Sequence, residues 1–214
     1  MAYAIAVLVG YLAGCSNMAY YIARLREVDL RSGGSGNLGA SNATVLLGWK
    51  AGVLVAVHDI GKAALAVLAM KWLFPHAANV GSVAGVACVL GHIFPFYLKF
   101  RGGKGFASFL GVTLALNWKL ALIVLAAVVI VTVVTDYIVC GTFTAIVTVP
   151  MYTGFATRSW LPALILTAAT AVIFYKHREN IPRMLNRTEL GLRSALRGEN
   201  RVRNTPSTHK SGKK

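Results

Sequence analysis

Three stretches of this 214-residue chain gather the side chains able to hold an anion or move a proton. The first is Gly33-Gly34-Ser35-Gly36-Asn37-Leu38-Gly39-Ala40-Ser41-Asn42. Glycines let backbone N–H groups converge on a negative charge. Ser35, Asn37, Ser41 and Asn42 add side-chain donors, so the stretch predicts a phosphate cradle lined by Ser35, Gly36, Asn37, Gly39, Ser41 and Asn42. The plain alternative is a flexible re-entrant loop. Gly34-x-Gly36-x-x-Gly39 also matches a dinucleotide fingerprint, but that motif needs a preceding strand, and a membrane-length apolar run precedes this one. The second stretch runs from Gly91-His92 through Pro95 to Lys99-Phe100-Arg101-Gly102-Gly103-Lys104-Gly105. Gly102 and Gly103 would let the backbone approach a ligand while Lys104 supplies a point charge. It is not a P-loop, because Leu98 stands at the first glycine position and Gly105 at the Ser/Thr position. The third stretch is His177-Arg178-Glu179-Asn180-Ile181-Pro182-Arg183, followed by Glu189. His177 and Asn180 share a helix face at i, i+3, where a histidine can bind an anion or take a proton near neutral pH.

Other polar residues read more plainly. His92, inside an apolar segment, is open between a satisfied packing residue and a functional one. Asp59 and Lys62 share a helix face and predict a structural ion pair. His58 and Asp136 carry no local pattern. Cys15, Cys88 and Cys140 form no C-x-x-C, which argues against a disulfide framework or a structural metal site. No serine, cysteine or carboxylate has the context of a catalytic triad.

These stretches need elements to position them. The chain is 56% hydrophobic and 14% charged, against roughly 45–50% and ~25% for a soluble domain. The fold class is therefore all-α: a polytopic membrane protein with about seven transmembrane helices, roughly 3–23, 51–73, 80–99, 105–117, 118–136, 140–157 and 159–176, and re-entrant glycine-rich loops. Leu12-Ala13-Gly14-Cys15 looks like a lipoprotein cleavage box, but residues 1–14 hold no Lys or Arg and the apolar run continues to Ile22, which predicts a retained span. With the N-terminus outside, 18 of the 22 Lys and Arg fall on the inner side and 3 on the outer, with Lys62 inside a span. The positive-inside rule favours that orientation, and it puts all three polar stretches on the cytoplasmic face. The net charge of +15 points to an anionic membrane surface rather than to nucleic acid. Residues 1–180 are expected as the seven-span domain and 181–214 as a basic cytoplasmic tail, a short amphipathic stretch followed by disorder.

Together the three stretches resemble the bacterial acyl-phosphate:glycerol-3-phosphate acyltransferase family, whose motifs run GSGNxGxTN, GHxFPxxLxFxGGKG and HRxNIxRLLxGxE. This chain reads GSGNLGASN, GHIFPFYLKFRGGKG and HRENIPRMLNRTE. The resemblance implies a seven-span protein of the bacterial inner membrane, with its motifs on the cytoplasmic side. It implies acyl transfer from a fatty acyl phosphate to sn-glycerol 3-phosphate, giving lysophosphatidate and phosphate, the first step of phospholipid synthesis, with no cofactor or metal. Carried over by motif, Ser35, Asn37, Asn42 and Lys104 line the phosphate sites, His177 and Asn180 engage the acyl phosphate or the attacking hydroxyl, and Glu189 orients a partner. Lys104, His177 and Asn180 are the expected catalytic set.

The chain departs from the pattern at four places. Val45 stands where the family has an arginine expected to bind phosphate, Ser41 replaces a threonine, Arg187 a glycine and Val139 a serine. These departures keep a second reading in view, a non-catalytic membrane protein (an inactive paralogue or a carrier) that binds a phosphorylated small molecule.

Overall fold

A computed structural model of the chain describes residues 1–196, and every regular element among them is helical. Within a bilayer each backbone N–H and C=O must find its partner inside the protein, and a helix provides this locally. The helices are α1 (Ala2–Cys15), α2 (Met18–Leu25), α3 (Ala40–Leu47), α4 (Trp49–Leu73), α5 (Val80–Ile93), α6 (Phe106–Leu116), α7 (Trp118–Thr135), α8 (Ile138–Thr157), α9 (Trp160–His177), α10 (Asn180–Leu185) and α11 (Leu192–Leu196).

The chain makes seven traverses, and six segments are long and apolar enough to cross a membrane alone. The exception is α6, whose 11 residues rise only about 17 Å against a hydrocarbon core of roughly 30 Å. It follows α5 after an irregular stretch at residues 99–105. That stretch keeps its backbone satisfied by pairing with the last turn of α5: Gly102 N–H donates to the Ile93 carbonyl at 3.0 Å and Gly103 N–H to the His92 carbonyl at 3.2 Å. Irregular backbone that is covered by protein needs partners of this kind.

The first traverse is broken, not continuous. Asn17, almost fully buried, caps α2 by accepting from Tyr20 N–H at 2.9 Å. The interruption frees the Ser16 carbonyl, which accepts from Lys62 Nζ at 2.6 Å. Small residues set the packing. A Cβ at Gly10 or Gly14 would collide with the backbone of Ala84 or Cys88 on α5, and one at Gly91 with the backbone of Tyr11. Such close approach gives dispersion contact where lipid offers no hydrophobic drive between helices. Trp49, Trp118 and Trp160 begin α4, α7 and α9, and Trp72 closes α4; all four are exposed. The step of 23 positions from Trp49 to Trp72 rises about 35 Å, the separation of two aromatic belts.

One stretch expected to be irregular holds a helix. Within 24–50 lies α3, set off from α4 by Gly48 at φ +90°. Residues 180–196 form α10 and α11 and return to the bundle. Leu192 N–H donates to the Asp136 carbonyl at 2.7 Å and Arg193 N–H to Asp136 Oδ1 at 2.8 Å, so Asp136 anchors this segment at the end of α7. The far basic tail expected to be disordered lies outside the described residues.

Candidate functional site

The three polar stretches meet at one end of the bundle. Ser35, Lys104 and His177 line one cavity of about 790 Å³, together with Asn37, Gly39, Ser41, Asn42, Asn180 and Glu189. Its floor is polar. Its wall on the α7 side is apolar, with Leu125, Val129 and Val133, each about half exposed on the lipid-facing surface.

The first stretch is folded around one side chain. Asn42 is buried; its Nδ2 donates to the Leu30 carbonyl at 2.8 Å and the Asn37 carbonyl at 2.9 Å, while its Oδ1 accepts from Ser35 N–H at 2.9 Å. Its hydrogen-bonding capacity is spent on the loop, so it shapes the cradle from within. Gly34 and Gly36 sit at φ +58° and +66°, where a side chain would be strained. Gly36 does not line the cavity; its N–H closes a turn on the Gly33 carbonyl at 3.0 Å. Gly39, Ala40 and Ser41 do line it, placing the N-terminus of α3 at the cavity. Arg31 ties this stretch to the second, its Nη2 donating to the Arg101 carbonyl at 3.0 Å.

Gly102 and Gly103 likewise do not line the cavity. Their N–H groups serve α5, and each glycine is required by packing: a Cβ on Gly102 would strike the His92 carbonyl, and one on Gly103 the His92 ring. Their work is to bring Lys104 to its place.

Lys104 Nζ donates to Asn180 Oδ1, and Asn180 Nδ2 donates to Glu189 Oε1 at 2.7 Å. Arg183 Nε stands 3.4 Å from Glu189 Oε2. Glu189 thereby fixes which way the Asn180 amide faces, and the amide oxygen meets the ammonium. An ammonium has three donors, so two remain for a ligand. Arg183, which closes the third polar stretch but is given no role from sequence alone, also lines the cavity; its position one turn past Asn180 is the signal that could have found it. Arg187 adopts φ +55°, the left-handed region. That explains a glycine at this position in the resembled motif.

Burial, then the Arg183 guanidinium, push the Lys104 ammonium down to about 8, against an opposing pull from Glu189. If the cation grips a phosphate, kcat/KM falls as pH rises through about 8, because this parameter reports the free enzyme. Lys104→Arg should remove that limb, since guanidinium stays charged. A flat wild-type profile to pH 9.5 would refute it.

His177 is buried and its Nδ1 lies 2.8 Å from the Ile173 carbonyl of its own helix. A carbonyl only accepts, so Nδ1 carries a proton, and in the neutral imidazole Nε2 is left with a lone pair.

Comparison with known proteins identifies the family. A family model described as glycerol-3-phosphate acyltransferase matches residues 4–187. The chain is 33% identical to glycerol-3-phosphate acyltransferase 1 of Oceanobacillus iheyensis over 206 residues, covering 91% of this chain and 97% of the relative. It is 40% identical to the glycerol-3-phosphate acyltransferase of Thermoanaerobacter pseudethanolicus over 187 residues, 85% and 91% of the two chains. Its structure resembles that of PlsY (YgiH), an integral membrane glycerol 3-phosphate acyltransferase, in the glycerol 3-phosphate form. The TM-score is 0.84 at 33% identity, over 91% of this chain and 97% of that one. A match over most of the chain, by sequence and by fold, places it in the glycerol-3-phosphate acyltransferase family.

Proposed function

We propose that this protein transfers an acyl group from a fatty acyl phosphate to the 1-hydroxyl of sn-glycerol 3-phosphate, giving lysophosphatidate and inorganic phosphate. The observation that carries the reading is a single cavity whose polar floor holds Lys104, Ser35 and His177 and whose apolar wall reaches the lipid-facing surface. That shape suits two phosphates and one hydrocarbon chain.

An acyl phosphate is a mixed anhydride, so its leaving group needs little acid assistance. What remains is to hold two anions and aim a hydroxyl at a carbonyl. The Ser35 hydroxyl, the start of α3 and the free Lys104 donors grip the phosphates. The lone pair on His177 Nε2 accepts the attacking hydroxyl and orients it. The new ester C–O bond forms as the acyl–phosphate bond breaks, and the hydroxyl proton ends on the departing phosphate. Asn180 and Glu189 hold Lys104 throughout. Purified protein given both substrates should release phosphate and form lysophosphatidate; no turnover with acyl phosphates of any chain length would overturn the reading.

Val45 lines the cavity where the family's arginine would stand. Val45→Arg should lower the KM for glycerol 3-phosphate at least tenfold, the worth of a charged hydrogen bond of about 1.5–3 kcal/mol. An unchanged KM would mean that the phosphate lies elsewhere.

The same reading puts the site end of the bundle in the cytoplasm of a bacterium, with the N-terminus outside. Lys99, Arg101 and Lys104 cluster at that end, and few basic residues lie at the other. On intact cells a membrane-impermeant thiol reagent should label Arg158→Cys and spare Lys99→Cys; the reverse would invert the topology.

A further inference from the structure

A second histidine faces the cavity, and it presents the opposite chemistry to His177. His92 is buried near the end of α5 and lines the cavity. Its Nδ1 lies 2.9 Å from Lys62 Nζ. Lys62 is itself held by Asp59 Oδ1 at 2.8 Å and the Ser16 carbonyl at 2.6 Å. Asp59 Oδ1 stands 3.4 Å from His92 Nδ1, but the ammonium at 2.9 Å is the nearer, hydrogen-bonded partner; an ammonium only donates, so a proton on Nδ1 would point at another proton. Nδ1 must accept, the imidazole is neutral, and its one proton sits on Nε2. Nε2 has no partner among the described residues and is not sealed off by them. It edges against Gly103, where a Cβ would strike it, one residue before Lys104, and His92 and Lys104 line the same cavity.

We propose that His92 is a phosphate-binding residue, a neutral imidazole locked by Lys62 with its N–H on Nε2, which it donates to a substrate phosphate beside Lys104. Asp59 and Lys62 are positioning residues that set the tautomer. Of the two cavity histidines, one gives a hydrogen bond and the other takes one, which suits a phosphate and a hydroxyl respectively. The inference rests on the acyltransferase reading and names a further group that grips its substrates.

Either substrate phosphate could be the one held, and kinetics separate them. His92→Phe should raise the KM for one of glycerol 3-phosphate and acyl phosphate at least tenfold, and the affected substrate identifies the phosphate. Glutamine places an N–H near the Nε2 position, so His92→Gln should return that KM to within about threefold of wild type. Two unchanged KM values, or glutamine no better than phenylalanine, would overturn the inference. A measurement on the unaltered protein covers the case in which the variants do not fold. With ¹⁵N-labelled histidine, His92 should show the Nε2–H tautomer and its Nε2 should shift on titration with inorganic phosphate. His177 differs by carrying its proton on Nδ1. Active wild-type protein in which no Nε2–H histidine responds to phosphate would remove the proposal for His92 and leave the proposed reaction standing.

Discussion

Lys104→Met lowers kcat/KM for acyl transfer by about 10²–10³-fold, the usual cost of removing one preorganised donor from a site where charge develops. Methionine keeps the length and the apolar stem but carries no charge. The loss falls on catalysis because nothing else on the cavity floor duplicates the ammonium: Arg183 is turned to Glu189 and Glu179, and Arg31 to backbone carbonyls. Stability should not fall, since a half-buried charge is being removed and Asn180 keeps its bond to Glu189. Lys104→Arg should lose far less, perturbing fit more than charge. Steady-state kinetics alongside thermal inactivation in detergent separates the two readouts. More than a tenth of wild-type kcat/KM left in the methionine variant would take Lys104 out of the proposed mechanism.

Asp59→Ala destabilises the protein by about 3–5 kcal/mol, because it leaves the Lys62 ammonium in the membrane interior without its counter-charge. Both side chains are over nine-tenths buried and the ion pair measures 2.8 Å. The remaining partners of Lys62, the Ser16 carbonyl and His92 Nδ1, are neutral. Removing both charges together is different. Asp59→Leu with Lys62→Leu exchanges a costly desolvated pair for apolar packing, and stability should return to within about 1 kcal/mol of wild type. Membrane proteins commonly inactivate irreversibly, so the comparison is of inactivation rates at one temperature. Strict additivity of two single substitutions with the double would show that the pair does not act as a unit. The stable double variant should still bind phosphate poorly, as nothing then fixes the proton of His92.

The bilayer made the traverses legible, because it demands long apolar runs and six of the seven left one in the sequence, α6 leaving a shorter one. It also hid what is short or polar. The break before α2 is two residues in an apolar run, and only the capping geometry of Asn17, three residues before Tyr20, marks it. The eight residues of α3 sit among glycines and amides that read equally well as loop. At the site, the meeting of three stretches followed from their shared end of the bundle. The division of labour did not. A glycine reads the same whether it leaves room for a ligand or for a neighbouring ring, so Gly102 and Gly103 could not be told apart from Gly39. The amide of Asn42 was readable as a donor, but not that it would be used within its own loop. Nor does a histidine carry its tautomer in the sequence. The carbonyl beside His177 and the ammonium beside His92 are brought there by the helix and by α4.

The amphiphilic build of the cavity has a kinetic consequence. On the proposed reaction, the water-soluble acceptor reaches the polar floor from the loop end, while the acyl donor slides in laterally from the bilayer past Leu125, Val129 and Val133. Separate doors mean that neither reactant has to leave before the other arrives. Among the described residues no serine, cysteine or carboxylate has the triad context to store the acyl group in the meantime, so on this reading chemistry waits for a ternary complex, and the order in which the two reactants come aboard is free.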